Sequence, residues 1–323
     1  MSREILKYSF EPQAPLRLLS AGREAEFLHN LQTGFGVEGS ERGNVLSLTG
    51  EQEDLLRAQA FLDGLKKLFI LRNGELDFRD VELLRRSFPE DGSAPQGDKL
   101  DQLWQSRLLV SPRKKAVLPR SARQLEYVKM LRRCDVVFGV GPAGTGKTYL
   151  AMAAAVESFL KQEVSRIVLT RPARESGEKL GFLPGSLEDK ISPYLRPLYD
   201  ALYEMLSEEE ASGLIERNLI EVAPLAFMRG RTLNNSFIIL DEAQNTTCEQ
   251  MLMLLTRLGF GSRCVITGDP DQSDLPHNEP SGLQRALDRL GDISEIGICR
   301  FDTRDVVRHH LLEKIIKNYN RAE

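Results

Sequence analysis

The sequence predicts an α/β protein: a parallel sheet wrapped by helices, preceded by a small α+β module. Three observations predict it. From about Ser121 onward, apolar runs of strand length alternate with helix-forming stretches, the pattern of a parallel sheet with crossover helices. A glycine-rich loop joins one of those runs directly to a helix-forming stretch. The first 90 residues carry a shorter pattern of their own, set apart by a segment rich in Pro, Gly and Ser.

In chain order, Arg23–Leu31 is helix-like, Gly34-Phe-Gly36-Val-Glu-Gly39 is a glycine-rich turn, and Val45–Leu48 is a short strand. Glu51–Leu71 places Leu55, Leu56, Phe61, Leu62, Leu65, Leu68 and Phe69 near helical spacing. Pro89–Gly97 has the composition of a linker. The expected organisation is a module over residues 1–90, a linker over 91–120 that is basic towards its end, and a larger domain over 121–323. Within that domain the expected strands are Asp135–Val140, Arg166–Thr170, Leu219–Val222, Phe237–Leu240, Arg263–Thr267 and Glu295–Ile298. Ligands of such sheets bind at the carboxyl ends of the strands.

One motif falls at such an end. Gly141, Pro142, Ala143, Gly144, Thr145, Gly146, Lys147 and Thr148 match the pattern G-x-x-x-x-G-K-[ST] in full. The apolar run Val136–Val140 precedes it, and Tyr149–Leu160, rich in helix formers, follows. Backbone N–H groups of such a loop converge on phosphate, and the following helix adds its positive end. The expected ligand is a nucleoside triphosphate with Mg²⁺, cradled by Gly141 through Tyr149. Lys147 is expected to reach the β- and γ-phosphates, and the Thr148 hydroxyl to ligate Mg²⁺.

Phe237–Leu240 runs into Asp241 and Glu242. In isolation this reads equally as a strand entering a solvated loop. Behind a phosphate loop it reads as Asp241 holding Mg²⁺ through its water shell and Glu242 orienting and deprotonating the attacking water, because phosphoryl transfer to water needs little else. At the end of the next expected strand Gln272 is placed to sense the γ-phosphate; Asp269 and Asp271 read instead as caps of the turn around Pro270. Gln124 lies just ahead of the first core strand, and its amide can both donate to and accept from an adenine edge. An exposed helix glutamine is the plain alternative.

These features resemble the PhoH-like ATPases (PhoH/YbeZ type), whose core is similar to the first motor domain of superfamily 1 helicases. The matching strings are Gly141–Thr148, Thr170–Gly185, Pro224–Thr232, Ile238–Asn245, Thr267–Pro276 and Asp305–His309. The resemblance runs from Ser121 to near Tyr319, and it implies a P-loop NTPase with a RecA-like sheet. It also implies that Asp241 and Glu242 form the helicase-type acidic box, that Gln272 is the γ-phosphate sensor, that Gln124 reads adenine, and that Arg308 stabilises charge on the transferring phosphoryl group. The N-terminal module is similar to the KH-like domain of longer family members. Gly36-Val-Glu-Gly39 formally matches the KH clamp, yet it precedes a strand and carries an acid that would repel phosphate, so it reads as a turn. The chain ends soon after the last core helix, without a second motor domain, so a complete site is expected to draw an arginine from a neighbour. That favours a homo-oligomer, with a ring as one form. The resemblance further implies a helicase-like role on RNA and, as a partner, a YbeY-type endoribonuclease.

Composition bounds these expectations. The net charge of −4 gives no global attraction to nucleic acid, so that role rests on local patches. Between Arg107 and Arg133 nine basic residues meet one acid, Glu126; the cluster suits a phosphate backbone, or equally a charged soluble linker. Arg171 and Arg174 follow the second core strand, where they could reach a nucleic-acid strand, the nucleotide phosphates or another subunit. Four cysteines without a C-x-x-C pair argue for a reduced compartment and against a zinc site. No apolar run reaches the roughly 18 to 20 residues of a membrane span, and the N-terminus has no apolar signal core, so the expected location is the cytoplasm, away from membranes. A small-molecule kinase, a nucleotide-gated switch and a plain RNA adaptor remain as rival readings.

Overall fold

The computed structural model describes residues 4–10, 16–20, 22–71, 74, 76, 80–81, 84–85, 105–112, 114, 116–172, 187–276 and 279–306. The chain divides into two compact units, Met1–Gln105 and Ser106–Glu323.

The first unit contains β1 (Glu4–Ser9), the helical turn α1 (Leu16–Leu19), α2 (Glu24–Phe35), β2 (Glu38–Arg42), β3 (Val45–Gly50) and α3 (Gln52–Leu71). Its sheet is antiparallel in the order β1-β3-β2. The period-2 pattern of β3 turns Leu46 and Leu48 inward, where they meet Phe27, Leu31, Phe35, Phe61, Leu62 and Leu65 from the helices. The expected glycine-rich turn is a helix cap running into a strand. Gly36 takes φ 70° to end α2, its N–H bonded to Gln32 O, and Gly39 already lies in β2. Neither β1 nor β2 is legible in the sequence. β2 is almost wholly exposed and reads Glu-Gly-Ser-Glu-Arg, the charged chemistry that keeps an edge strand from pairing further.

The second unit contains α4 (Ala122–Arg133), β4 (Val136–Val140), α5 (Lys147–Leu160), β5 (Arg166–Arg171), α6 (Leu187–Met205), α7 (Glu208–Glu216), β6 (Ile220–Pro224), β7 (Ser236–Leu240), α8 (Cys248–Leu255), β8 (Arg263–Gly268), α9 (Gly282–Leu290) and β9 (Ile296–Arg300). The six strands form one sheet in the order β6-β5-β7-β8-β4-β9, and every adjacent pair is parallel. All six expected strands are present, with ends shifted by a residue or two.

Both faces of this sheet are buried, which is why its strands read as unbroken apolar runs rather than alternating ones. Val137, Ile167, Leu169, Phe237, Ile239 and Val265 enter one core; Val136, Phe138, Val168, Ile238, Leu240 and Ile266 enter the other. α5 is buried nearly all round, and its run of small residues, Ala151 to Ala155 with Met152, lets it lie close to the sheet.

Residues 106–120 belong to the second unit. Leu108 bridges Val117, and Leu108, Val110 and Val117 sit in the first of the two cores. The C-terminal half of the segment read as linker is therefore anchored by apolar residues that its basic composition masks. The buried carboxylate of Glu157 holds it too, accepting from the Leu109 N–H at 3.1 Å and from Arg132 at 3.0 Å. Among the described residues no helix is long and apolar enough to cross a membrane.

Candidate nucleotide site

The loop between β4 and α5 is held in a shape only glycine fits at several points. Gly141 has φ 136°, and a Cβ there would lie 2.3 Å from Phe301 O. Gly146 caps α5 at φ 80°, with Gln124 Nε2 only 3.0 Å from where its Cβ would be. The Thr145 hydroxyl closes the loop by donating to Pro142 O at 2.9 Å. A loop of this kind offers backbone N–H groups to an anion at the positive end of the helix that follows it.

Lys147, the first residue of α5, is buried and folds over this loop. Its ammonium donates to Gly141 O at 2.6 Å and Pro142 O at 2.7 Å. Burial pushes its pKa down, while Asp269, Asp241 and Glu242 push it back up. Three acids from two neighbouring strand ends thus face the lysine of the phosphate loop.

Asp241 is the centre of that group and is itself buried. Its Oδ1 accepts from the Thr148 and Thr267 hydroxyls, each at 2.7 Å. Its Oδ2 accepts from Arg171 Nε at 2.8 Å, and the second Arg171 nitrogen stands 2.6 Å away. One carboxylate and one threonine hydroxyl beside a phosphate cradle are the hard oxygen donors that Mg²⁺ takes from a protein when phosphates and water complete its shell. The donor set fits Mg²⁺. Among the described residues no cluster of three or more acidic, His or Cys ligands exists.

Glu242 adopts φ 54°, ψ 40°, a left-handed conformation that is costly for a residue with a Cβ. The surroundings hold it there. Gln244 Nε2 donates to Glu242 Oε2 at 2.5 Å and Arg171 donates to Oε1 at 3.1 Å. Gln244 is a buried brace in its own right, since its Oε1 accepts the Asp269 N–H at 3.0 Å and so ties the acid pair to the loop after β8.

The other expected residues divide. Gln124 is buried beneath the phosphate loop. Its Oε1 accepts from the Arg120 N–H at 2.5 Å and its Nε2 donates to Thr145 O at 2.9 Å, so the amide braces the loop. Gln272 is exposed just beyond β8, its N–H bonded to Asp269 O at 3.0 Å. Asp269 does cap the turn, accepting from the Asp271 N–H at 3.2 Å, and it also faces Lys147. Tyr149 is partly exposed at the start of α5. Arg308 and Arg174 lie outside the described residues.

Sequence reasoning missed Thr267 and Gln244 and left Arg171 open among three roles. A threonine ending an apolar strand beside an acidic strand end was the available signal for Thr267; the string Asp241-Glu242-Ala243-Gln244 was the signal for Gln244. The basic cluster is partly spent on structure: Arg132 serves Glu157, Lys114 donates to Tyr203 O at 2.9 Å, and Arg123 pairs with Glu126 at 2.7 Å.

This geometry has relatives. A family described as PhoH-like protein matches residues 116–320. The PhoH-like protein of Bacillus subtilis (strain 168) is 42% identical over 323 residues, covering 99% of each chain. The PhoH-like protein of Mycobacterium tuberculosis (strain ATCC 25618 / H37Rv) is 47% identical over 302 residues, covering 94% of this chain and 84% of that one. The protein PhoH of Escherichia coli (strain K12) is 41% identical over 206 residues, covering 63% of this chain and 58% of that one. With a phosphate loop set at the carboxyl edge of a six-stranded parallel sheet, the chain belongs to the PhoH-like family of nucleotide-binding P-loop proteins.

Proposed function

We propose that this protein hydrolyses ATP, with Mg²⁺, in work on RNA. The observation that carries the reading is the contact of Thr148 with Asp241 beside Glu242, which joins the phosphate loop to an acid able to hold a cation and an acid able to take a proton. Lys147 binds the β- and γ-phosphates once its ammonium exchanges the Gly141 and Pro142 carbonyls for phosphate oxygens. Thr148 and Asp241 hold Mg²⁺, which when bound neutralises charge on the phosphates. Glu242 accepts the proton of a water as its oxygen bonds to the γ-phosphorus and the bond to the bridging oxygen breaks, leaving ADP and phosphate. Gln244 keeps the Glu242 carboxylate aimed while this happens.

Support for RNA is the resemblance of the core to helicase motors together with exposed basic side chains such as Arg133. A cytoplasmic homo-oligomer, in which a neighbour supplies an arginine, completes the proposal. A second reading has its own support: Arg171 already occupies both acids, which suits a slow, nucleotide-gated switch acting on a partner such as an endoribonuclease.

Steady-state ATP hydrolysis with and without single-stranded RNA separates them. Stimulation by RNA in the wild type, absent in Glu242→Gln, is the expected result. Slow hydrolysis indifferent to RNA favours the switch, and hydrolysis no faster than that of Glu242→Gln removes the ATPase.

A further inference from the structure

All four oxygens of the acid pair are engaged. Thr148 and Thr267 share Asp241 Oδ1, Arg171 takes Asp241 Oδ2 and Glu242 Oε1, and Gln244 takes Glu242 Oε2. Three of these partners are neutral and small. Arg171 is the cation among them. Its side chain is only 15% exposed, and its remaining donor group reaches Tyr194 O on α6 at 3.1 Å. A guanidinium spread over two carboxylates and a helix carbonyl is fixed in place, because its planar fork satisfies three acceptors at once.

From this geometry we infer that Arg171 is a latch on the acid pair, competing with the divalent cation at Asp241. The inference rests on the ATPase reading above. Arg171 holds one oxygen of the carboxylate that would hold the cation, and a positive charge 2.6 Å from that oxygen opposes a second one. Cation and latch therefore compete for the Asp241 carboxylate. The apparent affinity for Mg²⁺ is the intrinsic one reduced by the fraction of molecules in which Arg171 has let go. Release also frees Glu242 Oε1, so the base becomes available in the same step that admits the cation. Arg171 is a positioning residue in this scheme: it acts through Asp241 and Glu242. Because β5 ends at Arg171 and Tyr194 lies on α6, a ligand that displaces α6 would loosen the latch as well.

The test is the Mg²⁺ concentration that half-saturates binding of a fluorescent ATP analogue by the full chain, in wild type, Arg171→Met and Arg171→Lys. Arg171→Met should lower it about tenfold, the worth of one charge-assisted hydrogen bond, with Mg²⁺-free binding changed less than about twofold. Arg171→Lys, which keeps the charge and loses the fork, should fall between the two. If Arg171→Met does not fold by circular dichroism, Arg171→Lys alone carries the test with the same sign. An unchanged or raised half-point in the folded variants overturns the latch while leaving nucleotide binding intact. Failure of the wild type to bind the analogue at any Mg²⁺ concentration sinks the ATP reading, and the latch falls with it.

Discussion

Thr267 donates its hydroxyl to Asp241 Oδ1 at 2.7 Å, so the end of β8 orients the acid that follows β7. The two strands are neighbours in the sheet, with Leu240 opposite Ile266, and this register sets the pair side by side. Thr148 reaches the same oxygen from α5. β8 and α5 thus converge on one carboxylate oxygen just beyond β7.

Thr267→Val keeps the shape of the side chain and removes the donor. Partners that orient a ligand of a cation typically cost about 10- to 100-fold in cation affinity when lost. The variant should need that much more Mg²⁺ to bind nucleotide, while its stability changes by only about 1 kcal/mol. A Mg²⁺ titration of nucleotide binding, paired with a thermal melt, checks both halves. A half-point equal to that of wild type would mean that Asp241 is oriented without Thr267.

The Tyr127 ring lies so close to β4 that a Cβ on Gly139 would stand 2.7 Å from its hydroxyl and 2.9 Å from its ring. That hydroxyl is buried without a hydrogen-bond partner among the described residues. Tyr127→Phe should therefore stabilise the protein by about 1 kcal/mol, since an unmade buried hydrogen bond is a cost. Gly139→Ala should destabilise it by about 1–3 kcal/mol through overpacking. In the double variant the cost of the alanine should shrink, because the closest clash is gone. Additive effects in denaturant melts would refute the contact as the cause.

Arg132 and Arg133 are adjacent in the sequence and differ in use. Arg132 pairs with the buried Glu157 and donates to Arg107 O at 2.6 Å; Arg133 is exposed. Arg132→Ala should cost about 1–3 kcal/mol, since it leaves a buried carboxylate short of its main partner while the arginine end keeps some solvent. Arg133→Ala should change stability by less than about 0.5 kcal/mol. If the basic cluster meets RNA, Arg133→Ala should weaken binding and lower the salt slope by about one. Equal melting temperatures for the two variants would contradict the structural role of Arg132.

Much of the site was legible because phosphate binding writes itself locally. Gly141 through Thr148 are consecutive, and Asp241 with Glu242 follow an apolar strand, so composition and order alone expose them. What could not be read depends on strand order. Thr267 matters only because β8 lies between β7 and β4, and Arg171 only because β5 is on the other side of β7. The alternative of an exposed helix glutamine at Gln124 fails for the same reason: its amide is roofed by the loop after β4, which no local pattern reveals. In the N-terminal unit β2 was missed because an edge strand carries charge where a buried one carries Val or Ile.

The cysteines offer a test of the core that needs no nucleotide. Burial pushes the Cys264 thiol up to about 12, and burial, with a smaller push from Glu126 against Arg123, does the same for Cys299. Thiolate is the reactive form, so both should resist iodoacetamide at pH 8, while Cys248, partly exposed at the start of α8, should react first. Peptide mass mapping after a native pulse checks the order. The same shift has a consequence for stability. In the unfolded chain a thiol titrates near about 8.5, so between roughly pH 9 and 12 the unfolded state loses a proton that folded Cys264 keeps. Its contribution is complete below that window and declines as pH rises through it. Cys264→Ala should accordingly show a shallower fall in denaturant midpoint from pH 8 to pH 10.5 than wild type. Parallel falls would mean that the Cys264 site opens to solvent before the protein unfolds, and that the strand carrying Thr267 is looser than its packing indicates.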